Sequence, residues 1–268
     1  MTCRIPTRLI VGLLAAGAAA ACADSTAPKA GVTEAMVTRD VAIDAADATA
    51  QDVEQMGGLE ALIGMALAPG FPAPYRGCRF DAGTLFYGCP TITTPDGLTL
   101  TRWFGIYAGG HQQPSYDPLT TEAIVFGMGL KGTIVQPDRT IWVSRGRTVE
   151  LSGLAGTETV RIWNASGSRD DSAHVNTDGV TRRVLFQSDD AIKNVVFKLP
   201  HAEFPFPQSG TITHLVRVTA TVPNGTEATN RNSGRHVVVT FNGTRTASML
   251  VENTPCTLDL VTKKISCQ

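Results

Sequence analysis

Residues 211–222 read TITHLVRVTATV, and this stretch decides the fold class. Ile212, Val216, Val218, Ala220 and Val222 share one parity, while Thr211, Thr213, Arg217, Thr219 and Thr221 share the other. Successive side chains of a strand point to opposite faces, so a period of two describes a half-buried antiparallel strand. Working outward, Asn224-Gly225 and Asn242-Gly243 follow as hairpin-turn dipeptides, Asp178-Gly179 precedes, and Pro95-Asp96-Gly97 marks a tight turn before Leu98 to Tyr107. Further strand-like runs lie near Ala123 to Ile134, Thr140 to Leu151, Thr157 to Asn164, Val180 to Gln187, Asn194 to Leu199, Arg235 to Phe241 and Ala247 to Glu252. Such a succession predicts a mainly β chain, with an antiparallel meander over residues 76–268 built as a curved sheet, an open barrel or a sandwich. Threonine on the second face disfavours a membrane barrel, whose outer face is apolar.

The two ends of this β region repeat one another. Cys78-Arg-Phe80-Asp81-Ala-Gly-Thr84-Leu-Phe-Tyr87-Gly-Cys89 and Cys256-Thr-Leu258-Asp259-Leu-Val-Thr262-Lys-Lys-Ile265-Ser-Cys267 share the pattern C-x-φ-D-x-x-T-x-x-φ-x-C, where φ is apolar. Each reads as a β-hairpin closed by its own disulfide, with Phe80 opposite Tyr87 and Leu258 opposite Ile265 on the cysteine face. The aspartate begins the turn, where its carboxylate can accept a backbone N–H two residues on. Pairing of Cys78 with Cys256 and of Cys89 with Cys267 is the alternative, and the ten intervening residues are not zinc-ligand spacing.

Ahead of the β region, residues 33–68 read as a short helical segment. Thr33 to Met56 is rich in alanine and acids and free of proline and glycine, which favours helix, although Val37, Val41, Ala45, Ala48 and Val53 make only a thin stripe. That thin stripe predicts a marginal or peripheral helix. Leu59 to Leu67 is a second helix, with Leu59, Leu62, Ile63 and Ala66 on one face and Pro69-Gly70 as its stop. Thr33 to Glu60 holds seven acids and one base, whereas the chain after Pro69 holds 19 bases and 16 acids. A solvated acidic face explains the first number; the sharper reading is an acidic helix lying on a mildly basic β surface as a removable cover.

At the start of the chain, Arg4 and Arg8 precede the apolar run LIVGLLAAGAAAAC, residues 9–22, which is too short to span a bilayer and ends in small residues. Residues 1–21 therefore read as a secretory signal. Ala19-Ala20-Ala21-Cys22 resembles the lipobox of bacterial lipoproteins, although alanine stands at residue 19 where leucine is usual, and cleavage after Ala23 is the alternative. The resemblance implies acylation of Cys22, with residues 22–32 as a lipidated tether. Cysteine parity agrees: Cys3 leaves with the signal, Cys22 takes the lipid, and four cysteines remain for an oxidising compartment. Several acyl chains on one residue suffice for stable anchoring, and Ala23 after the cysteine points by analogy to the outer membrane. Ser152-Gly-Leu-Ala-Gly-Thr157 and Arg161-Ile-Trp163-Asn164, with the terminal C-x-φ-D hairpins, are similar to Thr- and Val-rich uncharacterised bacterial envelope lipoproteins, a likeness that implies no activity.

Chemistry is sparse. Nearly balanced charge disfavours a nucleic-acid partner. No G-x-S-x-G, H-E-x-x-H, S-x-x-K, phosphate loop or EF-hand pattern occurs, and the five histidines have no metal-ligand spacing. His214 and His236 read as ordinary sheet residues, and Asp170-Asp171 and Asp189-Asp190 as solvated turn acids. Most of the aromatic residues belong to a core. Trp103, Tyr107, Trp142 and Trp163 are the candidates for lining an apolar groove on a concave sheet face. The expectation is a non-catalytic, lipid-anchored envelope protein without cofactor or metal, whose partner is a membrane and whose ligand is a lipid or another apolar or amphipathic molecule. The alternative is a structural, adhesion or protein-binding surface module; a hydrolase would need serine, histidine and acid side chains to converge in the fold.

Overall fold

The computed structural model describes residues 77–268, except 96, 137–138, 157, 178–179 and 225–226, together with residues 38, 41–43, 45–54 and 56. Residues 1–32, expected as signal and tether with Cys22, and Leu59 to Leu67, expected as a second helix, lie outside the described residues. One helix, α1 (41–54), precedes fourteen strands. They are β1 (Arg79–Asp81), β2 (Phe86–Gly88), β3 (Ile92–Thr93), β4 (Thr99–Ala108), β5 (His111–Gln113), β6 (Ala123–Gln136), β7 (Arg139–Ser152), β8 (Val160–Thr177), β9 (Val180–Lys198), β10 (Ser209–Asn224), β11 (Glu227–Thr240), β12 (Thr246–Val251), β13 (Thr254–Asp259) and β14 (Ile265–Cys267). All belong to one antiparallel sheet, which does not close. Its order is β1-β2-β4-β6-β7-β8-β9-β10-β11-β12-β13-β14, with β3 and β5 each pairing β4 off this path.

The meander is therefore a single sheet, neither a sandwich nor a closed barrel. It curls. Residues of the first strands (Tyr87, Phe104) and of the last (Cys256, Leu258, Ile265) join one core cluster with Val41, Ala42, Ala45, Ala46 and Val53 of α1. Asp52 meets Arg147 of β7 and Thr49 meets His214 of β10, so α1 lies against the inner face of this curled sheet. This corrects the expectation of a marginal or peripheral helix. Ala42, Ala45, Ala46 and Ala50 are buried along with Val41 and Val53. Small side chains let surrounding strands approach on a wide arc, and a stripe of alanines hides this burial from a hydrophobicity pattern.

Strand alternation sorts the rest. Ile212, His214, Val216 and Val218 of β10 are buried and point inward, while Leu215 and Arg217 are exposed. Threonines 99, 101, 148, 240, 246 and 257 are exposed on the outer face. Glycines there admit aromatic rings: a Cβ on Gly127 would lie 2.0 Å from Trp103 Cε2, and one on Gly105 would lie 2.8 Å from Phe86 Cε1. Those two rings meet edge to face at 4.8 Å.

Both terminal hairpins carry their own disulfide, Cys78–Cys89 and Cys256–Cys267. Phe80 pairs with Tyr87 and Leu258 with Ile265, as the repeat predicts. The Asp81 carboxylate accepts the Gly83 N–H and that of Asp259 accepts the Val261 N–H, at 2.8 and 2.9 Å. Asp259 also receives Arg245 through Nε and Nη2, at 3.0 and 2.8 Å. Each edge of the open sheet is thus a three-residue strand in a cross-linked hairpin, which limits the unpaired backbone available to another chain.

The Ser- and Asp-rich residues 165–177, which carry no strand pattern, extend β8, and β9 fuses two separately expected strands. The two aspartate pairs accordingly sit on strands, which corrects their reading as turn acids. Asp171 and Asp190 fall on the inward parity, and Asp170 and Asp189 on the outward one. The inward acids replace apolar alternation with ion pairs: Asp171 accepts Arg145 Nη2 and Arg169 Nε, each at 2.6 Å.

Candidate functional site

A transverse row of the inner face brings together most of the ionisable groups buried in the fold. Register aligns Arg147 of β7 with Gly167 of β8, Asp190 of β9 and His214 of β10. Gly167 matters because a Cβ there would lie 3.3 Å from Arg147 Nε and 3.0 Å from the Gly146 carbonyl oxygen. The bare backbone leaves the lane in which the guanidinium crosses toward α1 and β9.

From the helix side, Thr49 and Asp52 are three residues apart and so share one face. Arg147 Nη1 donates to Asp52 Oδ1, and Arg147 Nη2 lies 3.8 Å from Asp190 Oδ2. Asp190 Oδ1 is 2.8 Å from His214 Nδ1 and also accepts the Ser188 hydroxyl. His214 Nε2 is 2.9 Å from Thr49 Oγ1. With the carboxylate accepting at Nδ1, a neutral His214 must accept the Thr49 hydroxyl proton at Nε2. At the other end of the helix, Arg235 Nε and Nη2 of β11 donate to Thr38 Oγ1 at 3.1 and 3.0 Å.

Burial sets the electrostatics. Asp52 is 5% exposed, and its Oδ2 has no hydrogen-bond partner. Desolvation raises its affinity for a proton above that of an ordinary carboxylate, outweighing the attraction of Arg147. Asp190 goes the other way: burial opposes its charge, but hydrogen bonds from His214 and Ser188 and the positive charge of Arg147 prevail, holding its carboxyl below the usual range. Burial also opposes the charge on Arg147, yet Asp52 and Asp190 together hold the guanidinium above its ordinary value. Asp52 is therefore the least satisfied member of the cluster.

The hydroxyl–imidazole–carboxylate order of Thr49, His214 and Asp190 matches the order of groups in hydrolytic triads. Thr49 is 0% and His214 1% exposed, so the array as it stands joins helix to sheet and is closed to substrate. Among the described residues no three His, Cys, Asp or Glu side chains converge as metal ligands.

The four candidate groove aromatics are not brought together. Trp163 points inward and is fully buried, with its Nε1 unpartnered. Trp103 and Tyr107 take the outward parity of β4, and Trp142, 45% exposed, lies outward on β7. His214 and His236 are not neighbours on one face either, since His236 pairs with outward Leu215. Thr49, Asp52, Arg147 and Ser188 carry no motif that marks them as a site, and Asp190, expected in a solvated turn, joins them from β9. A usable signal existed: Arg147 shares parity with Val149 and Leu151, and His214 with Ile212 and Val216. A polar residue in phase with a buried apolar series is one that the fold must satisfy internally.

No protein-family model matches the chain, and no curated protein or solved structure is significantly similar to it.

Proposed function

We propose that this is a non-catalytic protein of the cell envelope, anchored through an acylated Cys22. Its concave sheet face receives an apolar or amphipathic ligand, and α1 is the resident cover of that face. The observation carrying this reading is the way α1 is held. The helix meets the sheet through four alanines with Val41, Val53 and Met56, and through a buried polar seam, Asp52–Arg147 and Thr49–His214. Buried ion pairs add little net stability compared with apolar packing, and they serve well to fix one docked arrangement of an element that can also leave. The acidic helix on a basic strand surface agrees with the charge division of the sequence.

The test is native mass spectrometry of the mature protein purified from its own membrane in mild detergent, intact and after organic extraction. The expected result is an acylated N-terminal Cys22 and a stoichiometric, extractable lipid. An acylated but empty protein would remove the ligand half of the proposal, and an unmodified N-terminus would remove the anchor.

A second reading, a protein-binding surface module, draws on the outward side chains Trp142, Leu215 and Leu250, all at least 40% exposed on a threonine-rich face. Crosslinking of the empty protein in intact envelopes, followed by recovery of a partner attached at these strands, would favour it.

A further inference from the structure

Resting on the carrier reading, we propose that the ligand is a long-chain amphiphile with a carboxylate headgroup, and that Asp52 occupies the position of that headgroup on Arg147. With α1 docked, the sheet presents two polar groups to the helix: the Arg147 guanidinium, a donor taken by Asp52, and His214, whose Nε2 accepts the Thr49 hydroxyl proton. Anything that replaces α1 on this face meets the same two groups. Around them the inner face is apolar: Val149 is the next inward residue after Arg147 on β7, Ile192 follows Asp190, Ile212 and Val216 flank His214, and Val237 lies opposite it.

A neutral chain seated there would leave Arg147 desolvated, with only Asp190 at 3.8 Å for compensation. A carboxylate restores the charge-assisted pairing that Asp52 now supplies. Asp52 supplies it imperfectly, because one of its oxygens is buried without a donor. A free carboxylate on a flexible chain can bring both oxygens to the forked donors of Arg147, which a side chain fixed to a helix does not. Charge complementarity points the same way. Arg147 faces two carboxylates, Asp52 and Asp190, so undocking α1 removes one of the two that balance its charge.

The experiment uses the full mature protein, extracted free of lipid, with oleate and oleyl alcohol as probes of equal chain length, followed by displacement of a fluorescent fatty acid. Wild type is expected to prefer oleate by roughly tenfold or more, the value of one charge-assisted hydrogen bond. Asp52→Asn keeps the size and one hydrogen bond of the side chain but removes the competing charge, and it is expected to tighten oleate binding roughly tenfold while leaving oleyl alcohol within about twofold. Arg147→Lys, which keeps a charge without the forked geometry, is expected to lower the preference but not abolish it. Equal binding of oleate and oleyl alcohol would overturn the headgroup assignment and leave the carrier reading intact. So would stronger displacement by phosphatidylglycerol than by oleate. Binding of neither probe, in wild type or in Asp52→Asn, would overturn both.

Discussion

Deleting one partner of the Asp52–Arg147 pair should cost far more than deleting both. Arg147→Met leaves Asp52 buried with neither oxygen paired, since Oδ2 already lacks a donor. Removing one member of a buried ion pair costs roughly 3–5 kcal/mol, a large part of the net stability of about 5–15 kcal/mol typical of a domain. Asp52→Leu should fall at the lower end, about 3 kcal/mol, because Arg147 keeps Asp190 at 3.8 Å. The double variant Asp52→Leu/Arg147→Met places two apolar side chains in the same space and should lie within about 1 kcal/mol of wild type, or above it. The assay is urea unfolding followed by tryptophan fluorescence, with all four proteins compared at constant slope. A pH series supplies a second check. The folded protein already binds a proton at Asp52 more readily than the unfolded chain does. In Arg147→Met this excess grows, so the variant's deficit is full above the folded-state value and shrinks as pH falls through it toward the ordinary carboxylate range. A double variant as unstable as the sum of the singles would refute the argument, as would a deficit for Arg147→Met that stays constant from neutral pH into that range.

Gly127→Ala should destabilise by about 1–3 kcal/mol because Trp103 must leave its seat, whereas in a Trp103→Ala background the same change should be neutral or mildly stabilising; the unfolding assay reads both. Cys256→Ser/Cys267→Ser should lower stability by about 3 kcal/mol through release of the hairpin loop, and Cys78→Ser/Cys89→Ser by a similar amount, with reductant bringing wild type below either variant. Arg245 and the N–H groups of Thr262 and Val261 hold the Asp259 carboxyl well below its ordinary range. Its contribution to stability is therefore present at neutral pH and lost only as pH falls below that range and through the folded-state value. Carboxyl NMR should show the midpoint of Asp259 rising in Arg245→Gln.

The β class, the meander, the stapled hairpins and a helix ahead of them were legible because each rests on a local pattern. Period-two alternation marks β10, and the Cys-to-Cys repeat marks both sheet ends. The central place of α1 was not legible, since its buried face is mostly alanine and alanine carries little hydrophobic signal in either environment. The polar seam was half legible. Parity places His214 and Arg147 inward, but what satisfies them lies on α1, and Thr49 stands 165 residues from His214 in sequence. The strand character of residues 165–177 stayed hidden because cross-strand ion pairs, absent from any single-strand pattern, take the place of apolar side chains there.

The meander also separates contacts that are local in sequence from those that are not. Every ladder of the sheet joins segments that are near one another in sequence, so each hairpin closes with a small entropic penalty and the sheet can zip locally. The seam does not share this locality: Asp52 must find Arg147 across 95 residues and Thr49 must find His214 across 165. The seam is therefore the part of the fold on which loop-closure entropy weighs most.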